Sequence, residues 1–442
     1  MSAAVAGVAL PFVLAGLLIL RQNIVVLLGV ATFSAYYFWG GGELMNVVYD
    51  MWDASNREVL LSVPLYILAG TIMSQGSIAE RLINLMKALT RPIPGGLAIS
   101  SLLACGIFAA ISGSSIVTLL AVGSIMYPAL LKAGYSRAFA IGMLCAGGTL
   151  GIIIPPSIPL ILYGIMTQAS IADLFIAGIG PGLLLITLFI LYSLAINWTR
   201  DRGDRWSLRE IITAVRESIW ALLTPFVILG GIYSGHFTPT ESAAVAVLTA
   251  ILVETLAHRH GFMNLLRGDI AGVGATCTDM GRLIWRVVGE TSTMMGSLFP
   301  ILAIALSLNV FMTYEQVPNQ LVQWLTGFID NKWMFIVLVN LFLLFVGCFL
   351  DSGSAILILS PLLPPMAQQY GMDLVHFGIM MNVNLEVGYL TPPMGINLIV
   401  AMGAFKEEFL TIVKGVVPFI LIMLVALWII ALVPEITLFL IR

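Results

Sequence analysis

Charged side chains are scarce in this sequence: 10% of its 442 residues are Asp, Glu, Lys or Arg, whereas 60% are hydrophobic. A soluble globular domain carries about 25% charged and about 45–50% apolar residues, so this composition excludes a soluble protein. Apolar stretches close to the roughly 20 residues that span a bilayer recur from end to end. We therefore predict an all-α polytopic protein of the lipid bilayer. The net charge of −3 gives no reason to expect a nucleic-acid partner.

Clusters of catalytic or metal-ligating residues are also missing. The four cysteines, Cys105, Cys145, Cys277 and Cys348, form no CxxC pair, and the four histidines show no ligand spacing. Small buried thiols are therefore expected rather than disulfides or a metal centre. An intramembrane hydrolase needs a nucleophile beside a base, but no intramembrane His or Lys faces a glycine-flanked serine. The sequence thus argues against an enzyme.

The N-terminus lacks the basic region of a cleaved signal peptide. Arg21 follows the apolar run of residues 1–20 instead of preceding it. We therefore expect a first helix that is retained.

An internal repeat becomes visible when the sequence is shifted on itself by 237 residues. The shift superimposes Pro128 on Pro365, Pro155-Pro156 on Pro392-Pro393, Pro181 on Pro418, Gly134 on Gly371, Gly151 on Gly388, Gly178 on Gly415 and Ser115 on Ser352. Self-similarity at a fixed offset indicates a duplicated structural unit. We predict a first repeat over 1–199, a connector over 200–217 and a second repeat over 218–442.

Charge asymmetry predicts that the two repeats are inverted relative to each other. The positive-inside rule places the connector in the cytoplasm, because it carries Arg200, Arg202, Arg205, Arg209 and Arg216. The amphipathic segment 78–91 is basic, whereas the matching segment 314–328 contains no Lys or Arg. Five apolar crossings separate these two segments, and an odd number inverts the second repeat. The basic segment 257–286 then also lies in the cytoplasm.

Each repeat is predicted to contain a re-entrant hairpin and, further along, a broken helix. The hairpins span 95–131 and 333–369, and the broken helices span 136–170 and 375–404. The hairpins turn at Gly113-Ser114-Ser115 and at Asp351-Ser352-Gly353-Ser354. Their arms are shorter than a full span, although two ordinary pairs of full-length helices are the alternative. Each broken helix is interrupted by a Pro-Pro pair, which removes amide donors and leaves upstream carbonyls without partners.

Unpaired carbonyls survive in a membrane only where they line a cavity or bind an ion. Small residues at each hairpin tip let hydroxyls and backbone oxygens approach the same point. Five or six oxygens without formal charge suit a monovalent cation, and the freed helix N-termini favour an anionic substrate. A single proline kink is often only structural. Two kinks at matched repeat positions, each paired with a Ser/Gly tip, favour an ion site.

Taken together, these motifs resemble the large membrane subunit of the TRAP (tripartite ATP-independent periplasmic) transporters. The resemblance is carried by Ser112-Gly113-Ser114-Ser115, Ala133-Gly134-Tyr135, 151–157, 235–241, Asp351-Ser352-Gly353-Ser354 and 388–395. It implies an elevator-type, sodium-driven importer of organic anions in the bacterial inner membrane. It also implies two partners, a periplasmic substrate-binding protein and a small four-helix membrane subunit.

We therefore predict two Na⁺ sites, each formed where the hairpin tip of a repeat meets the Pro-Pro break of the same repeat. The first is predicted to use Ser112, Gly113, Ser114, Ser115, Gly151 and Pro155, and the second Asp351, Ser352, Gly353, Ser354, Gly388 and Thr391. The substrate is expected between them, at Ser157, Asn384, Pro156 and Pro393.

Several polar residues beside these sites have two interpretations. Asp351 is a sodium ligand or a helix cap, and Glu386 binds an ion or satisfies freed amides of the broken helix. Asn382, Asn384 and Asn397 flank the second break and could reach a substrate carboxylate. Thr238-Pro239-Thr240-Glu241 is typical of a capping box with proline in the first helical position.

Two other functions remain as alternatives. A stand-alone sodium–dicarboxylate symporter would share this architecture without partner proteins. A passive channel is disfavoured, because no ring of charged residues or carbonyls around a symmetric axis is indicated.

Overall fold

The computed structural model describes residues 3–20, 22–76, 78–199, 205–257, 270–329 and 331–441, which form α-helices joined by short connections. No β-strand occurs among these residues. Helices are expected in lipid because they pair their backbone groups internally. Within the described ranges, seven helical segments are long and apolar enough to cross a membrane. The prediction of an all-α polytopic protein is confirmed.

The first half contains ten α-helices in its described residues. They are α1 (Ala3–Ile19), α2 (Ile24–Phe38), α3 (Met45–Ser55), α4 (Ser62–Gln75), α5 (Ile78–Thr90), α6 (Gly96–Ser112), α7 (Ser115–Lys132), α8 (Arg137–Ile153), α9 (Ile158–Thr167) and α10 (Ile171–Ile196). A short 3₁₀ helix (Glu58–Leu61) precedes α4.

The second half contributes eleven more to the described part. They are α11 (Leu208–Tyr233), α12 (Pro239–Ala257), α13 (Ile270–Tyr314), α14 (Val317–Thr326), α15 (Lys332–Gly347), α16 (Ser352–Leu359), α17 (Leu363–Gln369), α18 (Leu374–Leu390), α19 (Ile396–Phe405), α20 (Phe409–Leu432) and α21 (Glu435–Leu438). Of the predicted cytoplasmic segments, residues 200–204 and 258–269 lie outside the described residues.

Helix α13 is longer than the apolar stretch that predicted it. Its 45 residues extend for about 68 Å at 1.5 Å per residue, whereas the hydrocarbon core of a bilayer is about 30 Å thick. The part of α13 that contains Arg282 and Arg286 therefore continues beyond the apolar stretch.

Both predicted hairpins form helical pairs. Helices α6 and α7 contact each other and meet at Gly113-Ser114. The second hairpin turns at 348–351, and the predicted turn residues Ser352, Gly353 and Ser354 instead form the first turn of α16, which Asp351 caps. Its returning arm is also divided, into α16 and α17, at Ser360-Pro361-Leu362. Pro361, Pro364 and Pro365 supply no amide hydrogen, so the carbonyls four residues before them lose their helical partners and the helix is interrupted in this stretch.

The broken helices form the centre of the molecule. Every residue from 140 to 153 in α8 and from 376 to 390 in α18 is buried. Helix α8 contacts α6, α7 and α20, and α18 contacts α15, α20 and α8. The hairpins also reach across the two halves, since α7 contacts α19 and α16 contacts α9. Both Pro-Pro peptide bonds, at Pro155-Pro156 and Pro392-Pro393, are cis.

The amphipathic segments and the capping box also form as helical features. Helix α5 buries Ile78, Leu82, Ile83 and Met86 and contacts α6 and α11. Helix α14 is shorter than the matching segment 314–328, because residues 314–316 end α13 and form a turn. The capping box is confirmed: the Thr238 amide donates to Glu241 Oε2 at 2.8 Å, and the Glu241 amide donates to Thr238 Oγ1 at 3.2 Å.

Candidate functional site

The first tip makes a left-handed turn at Gly113, whose φ is +60°. Glycine adopts this conformation without the steric cost that a side chain would add. Ser114 caps α7 by accepting the Val117 amide at 3.5 Å. The Ser112 hydroxyl lies 2.7 Å from the Thr118 hydroxyl. The side chains of Ser112 and Ser114 therefore stabilise the turn. The Ser112 carbonyl oxygen lies against Gly70 of α4, and the Ser114 carbonyl oxygen lies against Gly151 of α8.

The first break lies directly against this tip. A Cβ atom on Gly151 would lie 2.3 Å from the Ser114 carbonyl oxygen, so only glycine permits this approach. Beyond the break, the Ile158 amide donates to the Gly113 carbonyl at 3.5 Å. A Cβ on Gly113 would lie 2.8 Å from the Pro156 carbonyl oxygen. The structure therefore brings Gly113, Ser114 and Gly151 of the predicted first site together. Beyond the break the contact is made by Pro156 and Ile158, and the Ser115 hydroxyl is not part of this group.

The Ser115 hydroxyl faces the second half of the chain. It accepts a hydrogen bond from Asn397 Nδ2 at 2.7 Å. It also lies beside Glu386, although neither Glu386 oxygen makes a well-directed hydrogen bond. Ser115 thus joins the first tip to both parts of the second broken helix.

The second tip contacts the second break through a tyrosine. The Tyr389 hydroxyl accepts the Ser352 amide at 2.6 Å and lies 3.1 Å from Ser352 Oγ. The Gly395 amide donates to the Cys348 carbonyl at 3.3 Å. A Cβ on Gly388 would lie 2.4 Å from the Gly347 carbonyl carbon. These contacts hold the second tip and break together as predicted, and Tyr389 is a contributor that the sequence analysis missed.

The polar side chains beside the second tip and break differ in their hydrogen bonding: some bond to backbone groups, and one has no partner. Asp351 accepts the Ser354 amide at 2.9 Å and therefore caps α16, next to Gly353. The Ser354 hydroxyl is buried without a partner in the described structure. Thr391 donates its hydroxyl hydrogen to the Val387 carbonyl at 2.7 Å.

The residues predicted to hold substrate differ in burial and in hydrogen bonding. Ser157 is buried and caps α9 by accepting the Leu160 amide at 3.5 Å. Pro155 and Pro156 are buried, whereas Pro393 is exposed. Asn384 donates to the Asn340 carbonyl and Oδ1 at 2.9 and 2.7 Å.

Asn382, and not Asn384, reaches the first break. Its Nδ2 donates to the Ile152 carbonyl at 2.9 Å. In an uninterrupted helix that carbonyl would pair with the amide of residue 156, which is a proline. Asn382 thus satisfies an oxygen that the break leaves free. The sequence signal that could have indicated this contact is the position of Asn382, one helical turn before Glu386 in an apolar stretch.

Glu386 is fully buried, and its two carboxylate oxygens have no hydrogen-bond partner in the described structure. The prediction that it satisfies freed amides of the broken helix is therefore wrong. A buried carboxylate without compensation is strongly unfavourable. Its role as an ion ligand stays a prediction.

Comparison with known proteins places this arrangement among membrane transporters. Residues 12–436 match the family described as tripartite ATP-independent periplasmic transporter, DctM component. The C4-dicarboxylate TRAP transporter large permease protein DctM of Pseudomonas aeruginosa is 38% identical over 398 residues, covering 90% of this chain and 89% of that protein. The ectoine TRAP transporter large permease protein TeaC of Halomonas elongata is 34% identical and covers 96% of each chain. The isethionate TRAP transporter permease protein DctMQ of Oleidesulfovibrio alaskensis is 35% identical over 96% of this chain, which spans 64% of that longer relative.

Two solved transporters have a similar fold. The Alcanivorax borkumensis YdaH transporter superposes with a TM-score of 0.60 at 14% identity, covering 87% of this chain and 86% of its own. Neisseria gonorrhoeae MtrF, described as one of a class of antimetabolite efflux pumps, gives 0.58 at 12% identity, with 88% and 83% coverage. At these identities the likeness concerns the fold alone.

Proposed function

Because the chain belongs to the DctM component family of the tripartite ATP-independent periplasmic transporters, we propose that this large permease subunit imports a small organic anion together with sodium. Its location is the bacterial inner membrane, and it is a transporter subunit rather than an enzyme. A periplasmic substrate-binding protein would deliver the anion, and a small four-helix membrane subunit would complete the assembly. The transported anion would carry a carboxylate or a sulfonate.

One observation carries this proposal: in each repeat, an amide at the start of the half-helix after the break donates to a carbonyl at the turn of the hairpin. The Ile158 amide bonds to the Gly113 carbonyl, and the Gly395 amide bonds to the Cys348 carbonyl. Ile158 and Gly395 are 237 residues apart, which is the offset of the sequence repeat. Each contact brings the oxygen-rich turn of a hairpin to the start of a half-helix, where positive dipole ends favour an anion.

The oxygens around these contacts fit a sodium ion. Carbonyls at Gly113, Ser114 and Pro156 surround the first contact. The second contact has the unpaired hydroxyl of Ser354 nearby in its tip, and the unpaired Glu386 carboxylate lies between the two halves. Hydroxyls, carbonyls and one carboxylate are the donor set of a hard monovalent cation, whereas a divalent ion favours more carboxylates. Bound sodium would supply positive charge that offsets both Glu386 and the anion.

The relatives differ in the substrates that their names state: C4-dicarboxylates, isethionate and ectoine. We therefore propose the chemical class and not one compound. The two hairpins and two broken helices would move as one body in an elevator step. Helices α5 and α14 would brace the scaffold that stays fixed while this body moves. We propose that the small subunit packs on this scaffold.

The test is uptake by proteoliposomes that contain this chain, the small subunit and the binding protein. We expect uptake to follow an imposed sodium gradient and to stop when potassium or choline replaces sodium. Equal uptake in all three cations would contradict the proposal. Full-rate uptake by this chain without the small subunit or the binding protein would instead support a stand-alone symporter.

A further inference from the structure

A cavity of about 620 Å³ lies where the ends of α9 and α13 meet the returning arm of the second hairpin. Its lining includes Arg57, Gln168, Asn309, Gln316, Ser360 and Gln368. The charge pattern places these segment ends on the outer face of the membrane. We call it the outer cavity. Its size is within the range of roughly 300–1,000 Å³ that is usual for small-molecule sites.

Arg57 gives the outer cavity a single formal charge. Among the described residues that line it, no other is charged, and none is Asp or Glu. The Arg57 guanidinium is exposed and makes no ion pair or side-chain hydrogen bond with any described residue. A guanidinium binds a carboxylate or a sulfonate through parallel N–H donors. The cavity therefore favours an organic anion.

Side-chain amides of the cavity lining hydrogen-bond to backbone carbonyls that would otherwise oppose the binding of an anion. Asn309 Nδ2 donates to the Met166 carbonyl at 3.1 Å, Gln168 Nε2 to the Ile165 carbonyl at 2.9 Å, and Gln316 Nε2 to the Thr313 carbonyl at 3.0 Å. Bare carbonyls at helix C-termini would repel an anion. Covering them leaves the positive charge of Arg57 dominant.

An unpaired donor lies deeper in the same wall. The Ser360 hydroxyl is 2% exposed and has no partner in the described structure, although it lines the cavity. Ser360 directly follows α16, which begins at the second tip, and α9, which begins at the first break, contacts α16. These helices have 8 and 10 residues, so the cavity lies about 12–15 Å from the proposed ion sites.

We propose that the outer cavity is an acceptor site, where Arg57 binds the carboxylate or sulfonate of the arriving anion before the anion moves to the tips. The proposal rests on the proposed function, because it assumes import of an organic anion. It assigns to Arg57 a role in receiving substrate that is separate from the sodium sites.

The test compares Arg57→Gln and Arg57→Lys with Lys332→Gln, which removes one positive charge from the same face outside this cavity. The complete transporter in proteoliposomes is supplied with substrate-loaded binding protein at limiting concentration. We expect Arg57→Gln to lower the initial uptake rate by roughly 10- to 100-fold, which is the factor expected when one hydrogen bond to a charged group is lost. Arg57→Lys keeps the charge but loses the parallel donors, so it should restore only part of the rate. Lys332→Gln should match the wild type.

A second measurement separates the substrate from the binding protein as the partner of Arg57. Docking of substrate-free binding protein should be equally tight for wild type and Arg57→Gln. Docking weakened by the same factor as uptake would overturn the inference, and so would an unchanged uptake rate. The sodium concentration for half-maximal uptake should be the same in all variants. Sodium-independent uptake in every variant would instead refute the proposed coupling and leave the Arg57 comparison intact.

Discussion

Asn382 Nδ2 donates a hydrogen bond of 2.9 Å to the Ile152 carbonyl, across 230 residues of sequence. Proline at position 156 leaves that carbonyl without its helical partner, and Asn382 replaces the missing amide. The second broken helix therefore stabilises the break in the first. This bond joins the two broken helices, so a change at one break alters the hydrogen bonding at the other.

Replacing Asn382 by Leu should leave the Ile152 carbonyl buried without a donor. We expect a loss of about 1–3 kcal/mol in the stability of the native state, together with reduced uptake. Thermal unfolding in detergent and uptake in proteoliposomes would measure both. Asn46→Ala is the control, because Asn46 hydrogen-bonds Glu43 on an exposed surface. Equal effects of the two variants would contradict the role assigned to Asn382.

Gly151→Ala tests the contact between the first tip and the first break. The new Cβ would lie 2.3 Å from the Ser114 oxygen and 2.6 Å from Thr118 Oγ1, so the tip must move. Alanine raises helix propensity by about 0.5–1 kcal/mol over glycine, but overpacking costs about 1–3 kcal/mol. We therefore expect lower stability and loss of uptake. Gly29→Ala, with no atom within 4 Å, should retain uptake.

Thr391→Ala should raise the sodium concentration that gives half-maximal uptake. Removal of one neutral ligand is worth about 0.5–1.5 kcal/mol, or roughly 2- to 10-fold in sodium affinity. Ser115→Ala should act in the same direction, because it removes the acceptor through which the first tip holds Asn397 of the second broken helix. The binding protein's affinity for the anion should not change. Thr187→Ala is a matched control, because the Thr187 hydroxyl makes the same bond to the carbonyl four residues earlier. A sodium dependence shifted equally by Thr187→Ala would argue against the second site.

Single cysteines test the inverted topology. Gln323 on α14 and Asn84 on α5 are both exposed. In a background without the four native cysteines, Gln323→Cys should react with an impermeant thiol reagent from the periplasm. Asn84→Cys should react only after the membrane is opened. Equal labelling of both from one side would refute the opposite orientation of the two repeats.

Much of the architecture was accessible from the sequence because membrane helices are determined by local chemistry. Scarce charge predicted the helical membrane protein, and the ends of α5, α8 and α18 agree with the predicted segments within a few residues. Pro155-Pro156 and Pro392-Pro393 located both breaks, since proline removes a donor wherever it occurs. Glycine and serine located the first tip, whereas the second hairpin turns at 348–351 and the predicted turn residues Ser352, Gly353 and Ser354 begin α16.

The pairing of individual side chains was decided only by the tertiary structure. Sequence could place Asn382, Asn384 and Glu386 on one helix. It could not show that Asn382 hydrogen-bonds Ile152, or that Asn384 hydrogen-bonds Asn340. Nor could it show that the carboxylate oxygens of Glu386 have no hydrogen-bond partner in the described structure. The outer cavity is a further case, because its lining comes from segments as distant as Arg57 and Gln368. A helix and its break follow from residues that are adjacent in the chain. A hydrogen bond across 230 residues depends on how whole helices pack, and no local pattern encodes that packing.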